Sequence, residues 1–194
     1  MIAAVEDALS EAVVRKIVAV VRPDLTLFQV MRKNGHGYIR ARIRALNRTA
    51  HNLPVFVLID LDDPVRCPAD LISTFLPVPR AQRLLFRVAV MEVESWILAD
   101  RAQFAKFLAI RDDAIPTNPD AVPRPKELIV SLARRSKRRE IRDDLVPARG
   151  DTRVVGAAFN PRLISFVENS WNIDIAADAS GSLRRTVDRL RNTF

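Results

Sequence analysis

Cysteine is nearly absent: the 194-residue chain has one, Cys67. An intrachain disulfide and a cysteine-based zinc site are therefore excluded. Histidine is almost as scarce, with only His36 and His51. A cysteine nucleophile would have few bases to draw on, and Cys67 reads as a small buried hydrophobe. Aromatic residues make up 6% of the chain, which argues against reading of bases by stacking. Long apolar runs are missing too. "AVVRKIVAVV" carries Arg15 and Lys16 in its middle, and nothing approaches the ~20 apolar residues of a membrane span. "MIAAVEDALSEAVV" has no basic lead and places acids where a signal peptide is apolar. A cytoplasmic location without a membrane partner is expected. One further absence is local: no acid occurs from Leu25 to Ile59.

What is present is an arginine-dominated net charge of +8 and a hydrophobic fraction of 48%. The second supports a substantial core. The first suggests an anionic partner, nucleic acid before others and DNA before RNA, with solubility as the plain alternative.

The coarse organisation is α/β. "MIAAV" reads as a first strand, and Leu9 to Val21 has helical spacing up to Pro23. "LTLFQVMRK" reads as a second strand, "NGHG" as a turn, and Tyr38 to His51 as a helix with Ile39, Ile43, Leu46 and Ala50 on one face. "VFVLID" is apolar until its last residue and reads as a strand buried on both faces. "ADLISTFL" makes a short helix, "RLLFRVAV" a fourth strand, and "MEVESWILAD" opens a helix directly after it. Alternation at this spacing implies a mainly parallel four-stranded sheet flanked by helices. Residues 1–100 form this core. Residues 101–194 read as a helical extension packed on it, with helices in "RAQFAKFLAI", "PKELIVSLARR", "NPRLISFVENS" and "SLRRTVDRLRNTF".

The strand ends carry the chemistry. The first ends at Glu6, the third at Asp60 and Asp62, and the fourth at Glu92 and Glu94. Parallel strands would bring all five acids to one edge of the sheet, where ligands of such sheets bind. Five clustered carboxylates repel one another, and a hard divalent cation relieves them. Extended geometry would point Asp60 and Asp62 the same way. The plain alternative is that acids after strands cap helices or make turns, for which "DLDDP" is well suited. Agreement among three strand ends favours the metal reading.

Glu6 in "AAVEDALSEAVV" and Asp60 and Asp62 in "VLIDLDD" give the chain a resemblance to the Toprim domain of topoisomerases, primases and OLD-type nucleases. "VAVMEVESWILAD" resembles a segment of an uncharacterised Toprim-like bacterial family often encoded beside ATPases. Toprim proteins usually carry glycine after the first glutamate, where this chain has Asp7. The resemblance implies Mg²⁺ (or Mn²⁺) held by Glu6, Asp60, Asp62 and Glu94. It implies phosphodiester cleavage with Glu6, Asp60, Asp62, Glu92 and Glu94 as catalytic residues. It also implies an ATPase partner, in phage defence or DNA processing.

Two basic segments suit a phosphate backbone: Arg40, Arg44 and Arg48 in the acid-free stretch, and Arg135, Lys137, Arg138 and Arg139 in "RRSKRREIR". Solvated helix faces are the plain alternative. His36, between two glycines, reads as a surface residue able to approach a ligand, and Lys126 as an ordinary helix-start lysine. Trp96 and Trp171 read as core or interface anchors, and Ser182 as a helix cap. A non-catalytic module docking nucleic acid or an ATPase is the competing function. A receiver-like phosphoacceptor at Asp60 is a third, weakened by the lack of a lysine-bearing fifth strand.

Overall fold

Four short runs become four strands, each alternating its side chains between the two faces of the sheet. In a computed structural model they are β1 (Ile2–Val5), β2 (Gln29–Arg32), β3 (Val55–Asp60) and β4 (Leu84–Ala89). The structure describes residues 1–33, 35–63, 67–76 and 79–194. Asn34 of the expected "NGHG" turn and Pro64 of "DLDDP" lie outside the described residues. The sheet order is β2-β1-β3-β4 and every pair is parallel. All residues of β1 and β3 are buried. Strand β2 lies at an edge, exposes Gln29 and Arg32, and is shorter than the run Leu25–Lys33 suggests. Paired on one side only, its ends find no ladder to extend.

Side-chain alternation sorts the core into two layers. Ala3, Val5, Phe56, Leu58, Leu85 and Ala89 face α1 (Ala8–Val21), α4 (Val93–Ala99) and the later helices. Ile2, Ala4, Val57, Ile59, Phe86 and Val88 face α2 (His36–Thr49) and α3 (Pro68–Phe75). Ile39, Ile43, Leu46 and Ala50 share the buried side of the second helix, as the spacing predicts.

The remaining helices are α5 (Arg101–Leu108), α6 (Pro125–Arg134), α7 (Arg139–Leu145), α8 (Phe159–Asn169), α9 (Ile173–Ala179) and α10 (Gly181–Arg191). They form the C-terminal helical region: α8 packs on α1, α9 on α4 and α10 on β4. Trp96 is fully buried at this junction. Its indole Nε1 donates to Ser182 Oγ at 2.6 Å, and Trp171 Nε1 donates to the Trp96 carbonyl at 3.1 Å.

Three local expectations are corrected. Ser180, not Ser182, caps α10 by accepting from Leu183 N, which leaves Ser182 for Trp96. Cys67 is exposed at the start of α3. The second helix begins at His36 rather than Tyr38 because Gly35, at φ +84°, turns the chain into it; a side chain at 35 would be strained there.

Candidate metal centre at the carboxyl edge of the sheet

The chain passes from β1 to β2 on one side, then crosses back to place β3 on the other side of β1. Between the ends of β1 and β3 the connections diverge and open a crevice. Glu6 stands on one side of it. Its Oε1 accepts from the backbone N of Asp60 at 2.8 Å, tying the two strand ends together. Asp7, where Toprim proteins carry glycine, caps α1 through Ser10 N at 2.8 Å.

Asp60 and Asp62 do not point the same way. Strand β3 stops at Asp60, and Asp62 adopts a left-handed backbone with φ +57°, a conformation aspartate tolerates better than most residues. The amides of Leu61 and Asp62 both donate to the Met91 carbonyl at 3.0 Å, which clamps the ends of β3 and β4. Asp60 turns inward, and its Oδ1 accepts from Val93 N at 3.0 Å, capping α4 from a neighbouring strand. Burial pushes its pKa well above the usual carboxylate range, and the charges of Glu94 and Glu6 add to the effect. Asp62 stays half-exposed, and burial followed by Glu6 raises its pKa.

His36, from the start of α2, completes the front of the cluster. Its Nε2 lies 2.9 Å from Glu6 Oε1 and 3.7 Å from Asp62 Oδ2, off-line for an aligned hydrogen bond. Phe75 meets the ring edge-on at 6.0 Å. The contact with Glu6 raises the imidazole pKa, against the opposing pull of burial. Ligand atoms of Glu6, His36 and Asp62 all lie within 4.8 Å of one another, so this group could hold a metal ion.

Behind it, Glu92 and Glu94 flank the start of α4. Glu92 makes no cap. Its Oε1 instead accepts from Lys126 Nζ at 2.9 Å, and its Oε2 from the Lys126 backbone N at 3.3 Å. Glu94 is fully buried, and neither carboxylate oxygen has a hydrogen-bond partner among the described residues. Burial pushes its pKa up to about 7, with Lys126 pulling the other way from 3.6 Å. Burial alone would lower the Lys126 pKa; Glu94 and Glu92 outweigh it and raise it. Asp62, Met91, Glu92, Arg124 and Lys126 help to line a cavity of about 590 Å³.

Comparison with protein-family models, curated proteins and solved structures finds no significant match.

All five acids named from the sequence therefore converge, but on different duties. Glu6 and Asp62 face the metal-sized gap, Asp60 and Glu94 lie buried, and Glu92 holds Lys126. The basic residues lie apart from one another. Arg40, Arg44 and Arg48 are exposed on α2, with Arg40 stacked over Phe75 at 4.3 Å. Arg40 and Arg44 line a depression of about 570 Å³ against the end of α3. Arg135, Lys137 and Arg138 are exposed between α6 and α7, and exposed Arg139 opens α7 and pairs with Asp143 at 3.3 Å. His36 and Lys126 are the site residues that the sequence pattern undervalues. The glycines flanking His36 are the only local signal; Lys126 has none.

Proposed function

We propose that this chain is a Toprim-like, metal-dependent phosphodiester hydrolase, with Glu6, Asp62 and His36 holding a divalent cation. The meeting of Glu6 from the end of β1, Asp62 from just beyond β3 and His36 from the start of α2 around one ligand-sized gap carries this reading. Two carboxylates fit Mg²⁺ or Mn²⁺, and the imidazole beside them tilts the choice to Mn²⁺. A bound cation would polarise a phosphoryl oxygen and lower the pKa of water.

The protein's own residues supply the rest. Asp60 fixes Glu6 through its backbone amide and fixes α4 through its carboxylate. Lys126 and Arg124, on the wall of the adjoining cavity, offer positive charge to the phosphate next to the scissile one. Arg40, Arg44 and Arg48 offer further positive charge from the exposed side of α2. DNA is the favoured substrate, with an ATPase partner in cytoplasmic phage defence or DNA processing; the partner rests on the family resemblance alone.

One observation favours the competing docking role. Lys126 already neutralises Glu92 and faces Glu94, so part of the acid edge is compensated without a metal. Cleavage of single- and double-stranded DNA and RNA with Mg²⁺ or Mn²⁺, measured beside Mn²⁺ binding by electron paramagnetic resonance, separates the two. Metal-dependent cleavage lost in Asp62→Asn supports hydrolysis. Nucleic-acid binding that survives in Asp62→Asn, with no cleavage by either protein, supports docking.

A further inference from the structure

Strand β4 places a charge where its neighbours place core. Leu85 and Ala89 belong to the layer beneath α1 and α10, and Arg87 shares their side of the strand by alternation. Its guanidinium runs under α10, where Nε donates to Thr186 Oγ1 at 3.2 Å. Arg185 and Arg189 stand one turn apart on the exposed side of the same helix. Arg80 approaches from the segment before β4 and is anchored to the Leu84 carbonyl through Nε at 3.1 Å and Nη2 at 2.6 Å.

Among the described residues, none of these four guanidinium groups forms an ion pair with an acid. Among the described residues, those of Arg185 and Arg189 have neither a hydrogen bond nor an ion pair. Of the carboxylates nearby, Asp188 lies 3.7 Å from Arg191, and Asp120 accepts from Ser180 Oγ and Ser182 N. Arg87, Arg185, Asp188, Arg189 and Asn192 line a depression of about 370 Å³. Burial, then Arg185, Arg189 and Arg80, pushes the Arg87 pKa down to about 10. Arg87 still carries its charge at neutral pH, so the like charges repel one another. Arginines placed for solubility alone would be spread apart, since like charges one turn apart destabilise a helix.

We infer that the β4–α10 arginine cluster is a phosphate-binding site, taking a phosphate-bearing anion. A lone carboxylate satisfies one guanidinium fork. A phosphate offers several acceptor oxygens and more charge, so it can bridge two or three forks at once. The same chemistry comes from a free polyphosphate or from a phosphodiester backbone. The site is independent of the metal centre, because none of that centre's acids lines the depression.

Isothermal titration of the full chain in EDTA at low salt tests this, with inorganic pyrophosphate as one probe and a single-stranded oligodeoxynucleotide as the other. Chelation keeps metal binding out of the readout. The R185A/R189A double variant removes two exposed charges. The K106A/R149A double variant removes two exposed charges elsewhere and controls for net charge. Pyrophosphate affinity falling roughly tenfold or more in R185A/R189A alone is the expected result and indicates a small polyphosphate ligand. The same pattern with the oligonucleotide only also supports the site and identifies a backbone phosphate. Equal losses in both double variants, or no binding of either probe by the native chain, would overturn it.

Discussion

The acid edge of the sheet and the arginine cluster on β4 gather like charges in opposite ways. At the acid edge three of the five carboxylates hold a hydrogen-bond donor within the chain. Glu6 holds Asp60 N, Asp60 holds Val93 N, and Glu92 holds Lys126. Raised pKa values of Asp60, Asp62 and Glu94 let protons absorb part of the remaining repulsion. The arginine cluster has no such outlet: an arginine at about 10 still holds its charge at neutral pH, and among the described residues Arg185 and Arg189 have no ion-pair partner. A charged cluster built into a network is preorganised; one without counter-charge stays repulsive until an anion arrives.

The contrast is broken most severely at the gap itself. Asp62→Asn should lower metal-dependent cleavage by about a hundredfold or more while leaving the melting temperature almost unchanged, because Asp62 is half-exposed. Cleavage at native rates in that variant would remove Asp62 from the chemistry.

Lys126→Met makes the acid edge resemble the arginine cluster, by deleting its resident counter-charge. Removing one partner of a buried ion pair is strongly destabilising. The Lys126 side chain is 34% exposed, and solvent screening reduces the loss to roughly 1–3 kcal/mol. Mn²⁺ should restore part of it in thermal melts. A melting temperature equal to the native one would show that Lys126 neutralises nothing important.

Protonation offers a milder way to sharpen the comparison. Glu94 has a folded-state pKa of about 7 against an ordinary value of 4.5. The native state therefore binds the extra proton, so its contribution to stability is complete below about 4.5 and is lost as pH rises through about 7. Metal-free protein should lose stability over this window relative to Glu94→Gln, as seen in urea melts at successive pH values. Parallel pH profiles for the two proteins would rule out Glu94 as the titrating group.

The smallest effect has the opposite sign. Arg185→Ala should stabilise the ligand-free protein by a few tenths of a kcal/mol at low salt, through relief of repulsion one turn away. The gain should vanish near 1 M salt, where screening is short-ranged. A loss of stability at low salt would mean that Arg185 contributes packing instead.

Much of the sheet was legible because its signals are local. An apolar run ended by an acid marks β1, β3 and β4, and full burial of β3 follows from its unbroken "VFVLI". Helices α7 and α9 escaped because seven residues make barely two turns, too few to show a 3.6 period. The site residues divide along the same line. Glu6 and Asp62 are visible at strand ends. His36 reaches them only because β2 lies beside β1 in the sheet order, a long-range fact that no local pattern encodes. Arg87 did leave a trace, as the one charge inside "LLFRVA", and its meaning depends on α10, far along the chain. The left-handed turn at Asp62 is likewise fixed by the Met91 carbonyl, so the expectation of two aspartates pointing together failed for a tertiary reason.

The hydrogen bond from Trp96 to Ser182 spans 86 positions, and the one from Lys126 to Glu92 spans 34. A ribosome emits the chain from its N-terminus, so the acids leave the exit tunnel before the lysine that neutralises two of them. The indole of Trp96 must then wait for α10 before its N–H is satisfied. Domains generally fold as units during synthesis, and here the strands emerge well before their last supports. Consolidation of the acid edge therefore follows the emergence of the sheet and waits for α6, which brings Lys126 to Glu92.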